Sequence, residues 1–348
     1  MTAGAATHLK IGTRKSPLAL WQAEHVKALL EGRGHPCELV PMSTQGDRVL
    51  DRALSEVGGK GVFVKELEDA LDLGRADLAV HSAKDVPFAL PEGFVLCAFP
   101  GREDPRDALV APGASTFERL PKGARVGTSS LRRAVQLLSL RPDLVIIPVR
   151  GNVSTRLSLA TGVKDGVSVA PPPEGRLDAV VLALAGLRRL GLDQFVTEIL
   201  SVEVSLPAAG QGALAIEAKS GSRGESAVAP LSDPSVARRV RAERAVLAKL
   251  QGSCTVPIAA YAVEEGGEGG GAGGILFLRA VLGGPDGRGG VTLLRVEARG
   301  PGADPEALGA EVARLLLSRG GGPLLDAART SAGGLPAPKI SGAAGPSA

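Results

Sequence analysis

The sequence predicts an α/β protein of two related domains followed by a smaller α+β domain, and three observations carry that expectation. Through the first two thirds of the chain, apolar stretches of strand length alternate with stretches of helix length, the pattern of sheets covered by helices. Two short patterns recur in the same order. Lys10-Ile11-Gly12-Thr13-Arg14-Lys15-Ser16 returns as Arg125-Val126-Gly127-Thr128-Ser129-Ser130-Leu131-Arg132-Arg133, and Arg75-Ala76-Asp77-Leu78-Ala79-Val80 returns as Arg176-Leu177-Asp178-Ala179-Val180-Val181. The last third reads instead as helix, strands, helix.

Composition narrows the class. A chain of 348 residues is long enough for two or three domains, and 44% hydrophobic with 22% charged residues describes a soluble globular protein. Only 3% of residues are aromatic, so the cores must be built from Leu, Val, Ala and Ile. A net charge of +3, one Trp and one Tyr argue against nucleic acid as a partner. Cys37, Cys97 and Cys254 are odd in number and scattered, which speaks against a disulfide framework and for the cytoplasm. His8, His25, His35 and His81 show no metal-ligand spacing, so no metal is expected. Residues 1–10 lack an apolar signal core, and the longest apolar run, 179–187, is too short to span a membrane.

In chain order, residues 9–13 form a strand candidate, and Ser16-Pro17 supplies an N-cap with proline at the first helical position. Leu18, Trp21, Val26, Leu29 and Leu30 then recur at helical spacing until Gly32. Residues 38–42 read as a strand, 43–61 as a polar, glycine-rich loop, and 62–73 as a helix. Residues 77–87 are the pivotal stretch: an apolar run that ends in Lys84-Asp85, a strand delivering opposite charges to its carboxyl end, where ligands bind in α/β sheets. The charged segment 102–107 marks a crossing into the second unit, which holds strands at 144–149 and 179–182 and a proline-rich surface loop at 162–175. Residues 205–212 are turn-rich and suit a hinge back to the first domain. A basic helix follows over 233–250, then strands at 258–263, 275–282 and 291–298, a helix over 305–318, a flexible hairpin loop at 266–274 and a disordered tail at 331–348. The domains are accordingly 1–104 plus 203–222, then 105–202, then 223–330.

Each Gly-Thr turn opens a helix, whose free amides attract anions. Arg14, Arg132, Arg133, Arg150 and Arg156 lie at or just after predicted strand ends, and Arg189 follows one closely. Arginine suits carboxylate or phosphate, so a cleft between two such domains would take a polyanionic small molecule with Asp85 as its opposing charge. Any one of these arginines alone would be ordinary surface charge.

Several segments resemble the hydroxymethylbilane synthase family, also called porphobilinogen deaminases: Gly12-Thr13-Arg14-Lys15-Ser16-Pro17-Leu18-Ala19-Leu20-Trp21-Gln22, residues 57–66 around Gly58-Gly59-Lys60-Gly61, His81-Ser82-Ala83-Lys84-Asp85-Val86-Pro87, residues 127–133, and Arg150-Gly151-Asn152. Gly252-Ser253-Cys254-Thr255-Val256-Pro257 resembles the family's cofactor-attachment loop, and the proline loop, the glycine insert after Glu264 and the tail depart from the pattern. The resemblance implies two periplasmic-binding-protein-like domains around a cleft plus the small third domain. It also implies a dipyrromethane cofactor held by a thioether to Cys254, and the head-to-tail condensation of four porphobilinogens with loss of ammonia.

On this reading catalysis falls to Asp85, Lys84 and Arg14. Asp85 would stabilise the electron-poor azafulvene and the positive pyrrole nitrogens and mediate proton transfer. Ser129, Arg132, Arg133 and Gly151 would join Lys84, Asp85 and Cys254 in holding the cofactor. Acetate and propionate groups of the substrate would meet Arg14, Lys60, Arg150, Arg156 and Arg189, with Ser16, Gln22, Ser82 and Thr128 as hydrogen-bonding neighbours. Cys37 and Cys97, in strand-like runs, read as small buried hydrophobes. The expected partner is porphobilinogen alone, bound by a cytoplasmic monomer with neither nucleic acid nor membrane. Two other readings stay open here: a non-catalytic binding module for an anionic metabolite, which needs no cysteine anchor, and a nucleic-acid binder, whose affinity would fall steeply with salt.

Overall fold

The computed structural model describes residues 8–44, 64–172, 174–252, 256–266 and 274–330. The first lobe starts with β1 (Leu9–Arg14), α1 (Pro17–Glu31), β2 (Cys37–Met42), α2 (Lys65–Asp72), β3 (Leu78–Ser82) and β4 (Phe94–Ala98). The second holds β5 (Asp107–Val110), β6 (Arg125–Gly127), α3 (Leu131–Leu140), β7 (Val145–Ile147), α4 (Val153–Thr161), β8 (Val163–Lys164), β9 (Val167–Ser168), β10 (Ala179–Ala183), α5 (Leu184–Arg189) and β11 (Glu198–Ile199). The chain then returns as β12 (Leu214–Lys219) and α6 (Arg223–Val228). It ends with α7 (Pro234–Leu250), β13 (Ile258–Glu265), β14 (Ile275–Pro285), β15 (Val291–Pro301), α8 (Pro305–Leu316) and α9 (Gly322–Thr330).

The two larger sheets have the same plan. Strand order is β2-β1-β3-β12-β4 in the first and β7-β6-β10-β5-β11 in the second. In each, the first three strands run parallel and the fourth is antiparallel to both its neighbours. The recurring sequence patterns fall on equivalent strands, β1 with β6 and β3 with β10, and a shared contact explains part of the recurrence. Asp77 accepts from the Lys10 amide at 2.9 Å, and Asp178 from the Arg125 amide at 2.7 Å, each aspartate pinning the start of one strand to the next. The fourth strand of each sheet belongs to a crossover between lobes: β5 follows the passage out of the first lobe and β12 follows the passage back.

Local sequence accounts for the helices. Ser16 accepts from the Ala19 amide ahead of α1, Asn152 from Thr155 ahead of α4, and Asp233 from Ser235 and Val236 ahead of α7. Packing then does most of the stabilising. Leu9, Ile11, Leu78, Val80 and Ile216 meet Val26 and Leu30 of α1 in the first lobe, and the largest fully buried side chains are all Leu or Ile. Each such burial is worth roughly 1.5–3 kcal/mol. In the third domain α7 and α8 cover the antiparallel sheet β13-β14-β15, whose Val296, Leu278 and Leu282 join Val246 and Val312 in one core.

The structure corrects one sequence expectation. Residues 162–175 are not all loop, because β8 and β9 pair as a small hairpin. The turn between them is Asp165-Gly166, both at positive φ, as two-residue hairpin turns require. The loop predicted at 43–61, the glycine-rich hairpin loop and the tail lie wholly or mostly outside the described residues.

The crossovers touch each other and carry the third domain. Arg102 bridges to Ala213 as an isolated antiparallel pair, and the Glu103 amide donates to the Gly212 carbonyl at 3.1 Å. Gly212 has φ +86°, and a Cβ there would lie 2.3 Å from the Glu103 carbonyl oxygen. A Cβ at Gly210, whose φ is +73°, would lie 2.9 Å from Ala83 Cβ, so the return crossover needs glycine at both places. Arg102 donates to the Gln211 carbonyl and to both oxygens of the fully buried Glu243 on α7, which also accepts from the Gly210 and Ala262 amides. One carboxylate thus ties hinge, helix and sheet.

Replacing one partner of such a buried pair leaves the other uncompensated, which costs about 3–5 kcal/mol. Arg102→Met should therefore lower the thermal midpoint sharply, and Arg102→Met/Glu243→Met should recover part of the loss; a double variant no better than the single one would show that the charges themselves are not the cost.

Candidate active site

Strand β3 delivers the pivotal residues as the sequence predicts. It ends at Ser82, and Ala83–Asp85 form one 3₁₀ turn held by the Ala83 amide, which donates to the Ala213 carbonyl at 3.0 Å. The turn separates the two charges. Lys84 is partly covered, and its Nζ donates to Gln211 Oε1 at 3.3 Å. Burial lowers its pKa to about 8, against the opposing pull of Asp85. Asp85 is exposed. Gln22 of α1 reaches the same strand end, donating to Ser82 Oγ at 2.9 Å, while Ser16 serves as the α1 cap.

The second lobe presents its own strand ends. Thr128 is buried, and its Oγ1 accepts from the Ser130 amide at 3.2 Å. Ser129 spends its hydroxyl on Val149, donating to the carbonyl at 2.6 Å and accepting from the amide at 2.8 Å. The Gly151 carbonyl accepts from Arg156 Nε at 2.9 Å. Arg156 is largely desolvated, which lowers its pKa, and it lies within electrostatic reach of Arg133, Asp85 and Arg150. Arg14 and Arg150 are half-buried at the ends of β1 and just after β7.

Arg132 and Arg133, predicted as ligands for a bound anion, are already engaged with a side chain of the protein. Both reach Asp107, the first residue of β5: Arg132 Nη1 at 2.9 Å from Oδ2 and Arg133 Nη2 at 2.7 Å from Oδ1. Ser205 and Gln211 of the return crossover also donate to it. Asp107 and Gln211 are the residues that sequence reasoning missed. The charged run 102–107 reads only as a domain crossing, and the one available signal was that an apolar strand, Ala108 to Val110, follows that run directly. Arg133 keeps a spare donor, since its buried Nε has no hydrogen-bond partner among the described residues.

Arg189 is engaged with the return crossover. Its Nη2 donates to the Gly212 carbonyl at 2.6 Å, and its guanidinium sits 5.6 Å over the Trp21 ring, at the seam between lobes. Lys60 and Cys254 lie outside the described residues, but the segments flanking Cys254 are fixed. The Gly252 amide donates to Leu247 at the end of α7, and the Pro257 carbonyl accepts from Gly283 on β14. Gly283 in turn lies against Val135 of α3: a Cβ there would be 2.6 Å from Val135 Cγ2. Pro257, beyond the cysteine, is therefore held where the third domain meets the helix that carries Arg132 and Arg133.

The donor set suits a multiply anionic group. Lys84, Arg132, Arg133, Arg150 and Arg156 surround two carboxylates, Asp85 and Asp107, and the spare donor on Arg133 calls for one more acceptor. A dipyrromethane, whose rings carry acetate and propionate chains, has the matching charge. Among the described residues no helix is long and apolar enough to cross a membrane.

Comparisons with known proteins bear on the same segments. Among solved structures, a putative methionine-binding lipoprotein from Bacillus subtilis matches at 13% identity and TM-score 0.39, over 65% of this chain and 90% of its own. A nutrient-binding protein from Burkholderia cenocepacia bound to methionine matches at 14% and 0.39, over 66% and 93%. The aliphatic sulphonate binding protein of Escherichia coli matches at 16% and 0.37, over 71% of each chain. Likenesses this faint decide nothing about the site. Family comparison identifies the chain: residues 9–226 match "Porphobilinogen deaminase, dipyromethane cofactor binding domain" and residues 237–318 match "Porphobilinogen deaminase, C-terminal domain". The non-catalytic alternative is not favoured, since both family domains are present and in order. With nearly the whole of the described chain matched, this chain belongs to the porphobilinogen deaminase family, the transferases that condense four porphobilinogens into hydroxymethylbilane on a dipyrromethane.

Proposed function

We propose that Asp85 is the catalytic carboxylate of this condensation, that Lys84, Arg14, Arg133, Arg150 and Arg156 bind substrate and cofactor carboxylates, and that Cys254 carries the cofactor. The observation behind the assignment is that Asp85 stands exposed among cations, its charge felt by Lys84 and Arg156 alongside Arg133 and Arg150. The cofactor, when bound, supplies the free pyrrole position on which chain growth begins. Asp85 then has two tasks. As a fixed carboxylate beside the reacting ring nitrogens it stabilises the positive charge that develops as ammonia leaves porphobilinogen, and it accepts and returns the proton moved when the new bond forms. The arginines orient: bidentate guanidinium–carboxylate pairs fix each ring by its side chains, so the reacting atoms meet in one geometry.

Other predicted residues take supporting parts on this reading. Ser129 and Gly151 hold the loops after β6 and β7 through their bonds to Val149 and Arg156. Gln22 and Ser82 brace the end of β3, Ser16 caps α1, and Thr128 starts the turn into α3. Arg132 stays with Asp107, and Arg189 governs the seam between lobes before it meets substrate. Burial pushes the Cys37 thiol up to about 11 and the Cys97 thiol up to about 12, so neither is a thiolate at neutral pH, which leaves Cys254 for attachment. The free thiols of Cys37 and Cys97 fit a cytoplasmic setting.

Asp85→Asn keeps shape and removes charge. Turnover should fall by roughly two to four orders of magnitude with the thermal midpoint unchanged; a variant that melts earlier but keeps its activity would mark Asp85 as structural. Intact-mass spectrometry of the purified chain should show one added dipyrromethane, lost in Cys254→Ser and kept in Cys37→Ser and Cys97→Ser, whereas an unmodified wild-type mass would sink the attachment.

Lys84 gives a pH test. Its folded pKa of about 8 lies below the unfolded value of 10.5, so between them the unfolded chain binds more protons and this residue's contribution to stability rises with pH. The thermal midpoint of wild type minus that of Lys84→Met should therefore increase from about pH 8 to about pH 10.5. A flat difference would mean that the ammonium is not desolvated.

A further inference from the structure

Asp107 is fully buried, and its carboxylate is surrounded by donors from three directions. Oδ2 accepts from Ser205 Oγ at 2.7 Å and Arg132 Nη1 at 2.9 Å, and Oδ1 from Arg133 Nη2 at 2.7 Å and Gln211 Nε2 at 2.8 Å. Burial alone would raise its pKa, but the Arg132 and Arg133 guanidiniums outweigh burial and hold it well below the usual carboxylate range, so it is ionised. Two of these donors lead to the cleft. Gln211 turns its other amide atom, Oε1, to Lys84 Nζ, so a single side chain joins Asp107 in the second lobe to the cation beside Asp85 in the first. Arg133 uses Nη1 on the Val181 carbonyl and Nη2 on Asp107, which fixes its plane while its buried Nε stays without a partner among the described residues.

We propose that Asp107 is a positioning residue for the condensation: it sets the guanidinium plane of Arg133 and, through Gln211, the ammonium of Lys84, so that both meet substrate carboxylates in one fixed arrangement. The inference rests on the reading of Lys84 and Arg133 as carboxylate binders given above. An arginine freed from such an anchor regains rotamer freedom and must lose it again on each binding event, which weakens binding rather than bond formation. The charge acts as well. The charged groups facing Lys84 are Asp85, Arg133, Asp107 and Arg132. Without Asp107, one carboxylate is left against two guanidiniums, and the ammonium gives up its proton at lower pH. A purely structural aspartate would move neither KM nor that pH.

The test compares wild type, Asp107→Asn and Val110→Ala, each purified as folded holoenzyme with cofactor content verified by intact mass. Val110 is a buried neighbour on β5 that lowers stability without touching the charge network. In Asp107→Asn, KM for porphobilinogen should rise tenfold or more, kcat should change less, and the alkaline limb of kcat/KM should shift to lower pH; Val110→Ala should lower the thermal midpoint and move neither. Wild-type KM and limb in Asp107→Asn, or the same changes in Val110→Ala, would overturn the inference. If Asp107→Asn does not fold, Gln211→Met cuts the link to Lys84 without altering charge, and an unchanged KM and limb there would overturn it equally. Lys84→Met and Arg133→Met separate the two levels: wild-type KM in both removes the underlying reading, whereas raised KM in both with an unaffected Asp107→Asn removes only this inference.

Discussion

A carboxylate taken out of water must be paired and hydrogen-bonded, and the arrangement of this molecule follows from how Asp107 and Glu243 meet that requirement. Asp107 draws the start of α3, the return crossover and Gln211 to one point, and Glu243 draws the outgoing crossover, α7 and β13 to another. The two points are joined by the short run Gly210-Gln211-Gly212, whose backbone serves Glu243 through Gly210 and Arg102 while its Gln211 side chain serves Asp107. Lobe, hinge and third domain are thus set relative to one another by charge pairs that cannot be loosened singly.

That framework also positions the charged residues beyond β3. Lys84 and Asp85 sit in the turn beyond β3, where the Lys84 backbone lies against Gly210 of the hinge, and α3 turns its arginines to Asp107 and its Val135 to Gly283 of the third domain's β14. Lys84 and Arg156 are desolvated, which makes their electrostatics stronger than those of surface pairs, and Asp85 is exposed within their reach. Of the residues that flank Cys254, Gly252 bonds Leu247 of α7 and Pro257 bonds Gly283, which lies against α3.

The sequence made the repeating strands legible because Gly-Thr turns and Arg-x-Asp starts recur with a physical cause: the turn opens a helix and the aspartate pins adjacent strands. The caps of α1 and α7 and the apolar runs of β3 and β10 were equally plain, as was the grouping of arginines at strand ends. What stayed hidden was the destination of the charges. Nothing local distinguishes a buried Asp107 or Glu243 from a solvated one, because their partners lie far along the chain. For the same reason nothing local shows that half of the donors of Arg132 and Arg133 are already committed to the protein, or that Arg189 reaches the hinge. The hairpin at 163–168 was written in its Asp-Gly turn and was overshadowed by the prolines that follow.

The exchange of antiparallel strands between the crossovers also constrains how the chain comes into being. During synthesis β4 emerges with no neighbour in its sheet, since β12, which must lie between it and β3, is made more than a hundred residues later. The second sheet, by contrast, comes from one uninterrupted stretch, β5 to β11. The lobe that carries Lys84 and Asp85 is therefore the later of the two to be completed, and its exposed strand edges are the segment most open to wrong pairing while the ribosome is still extending the chain.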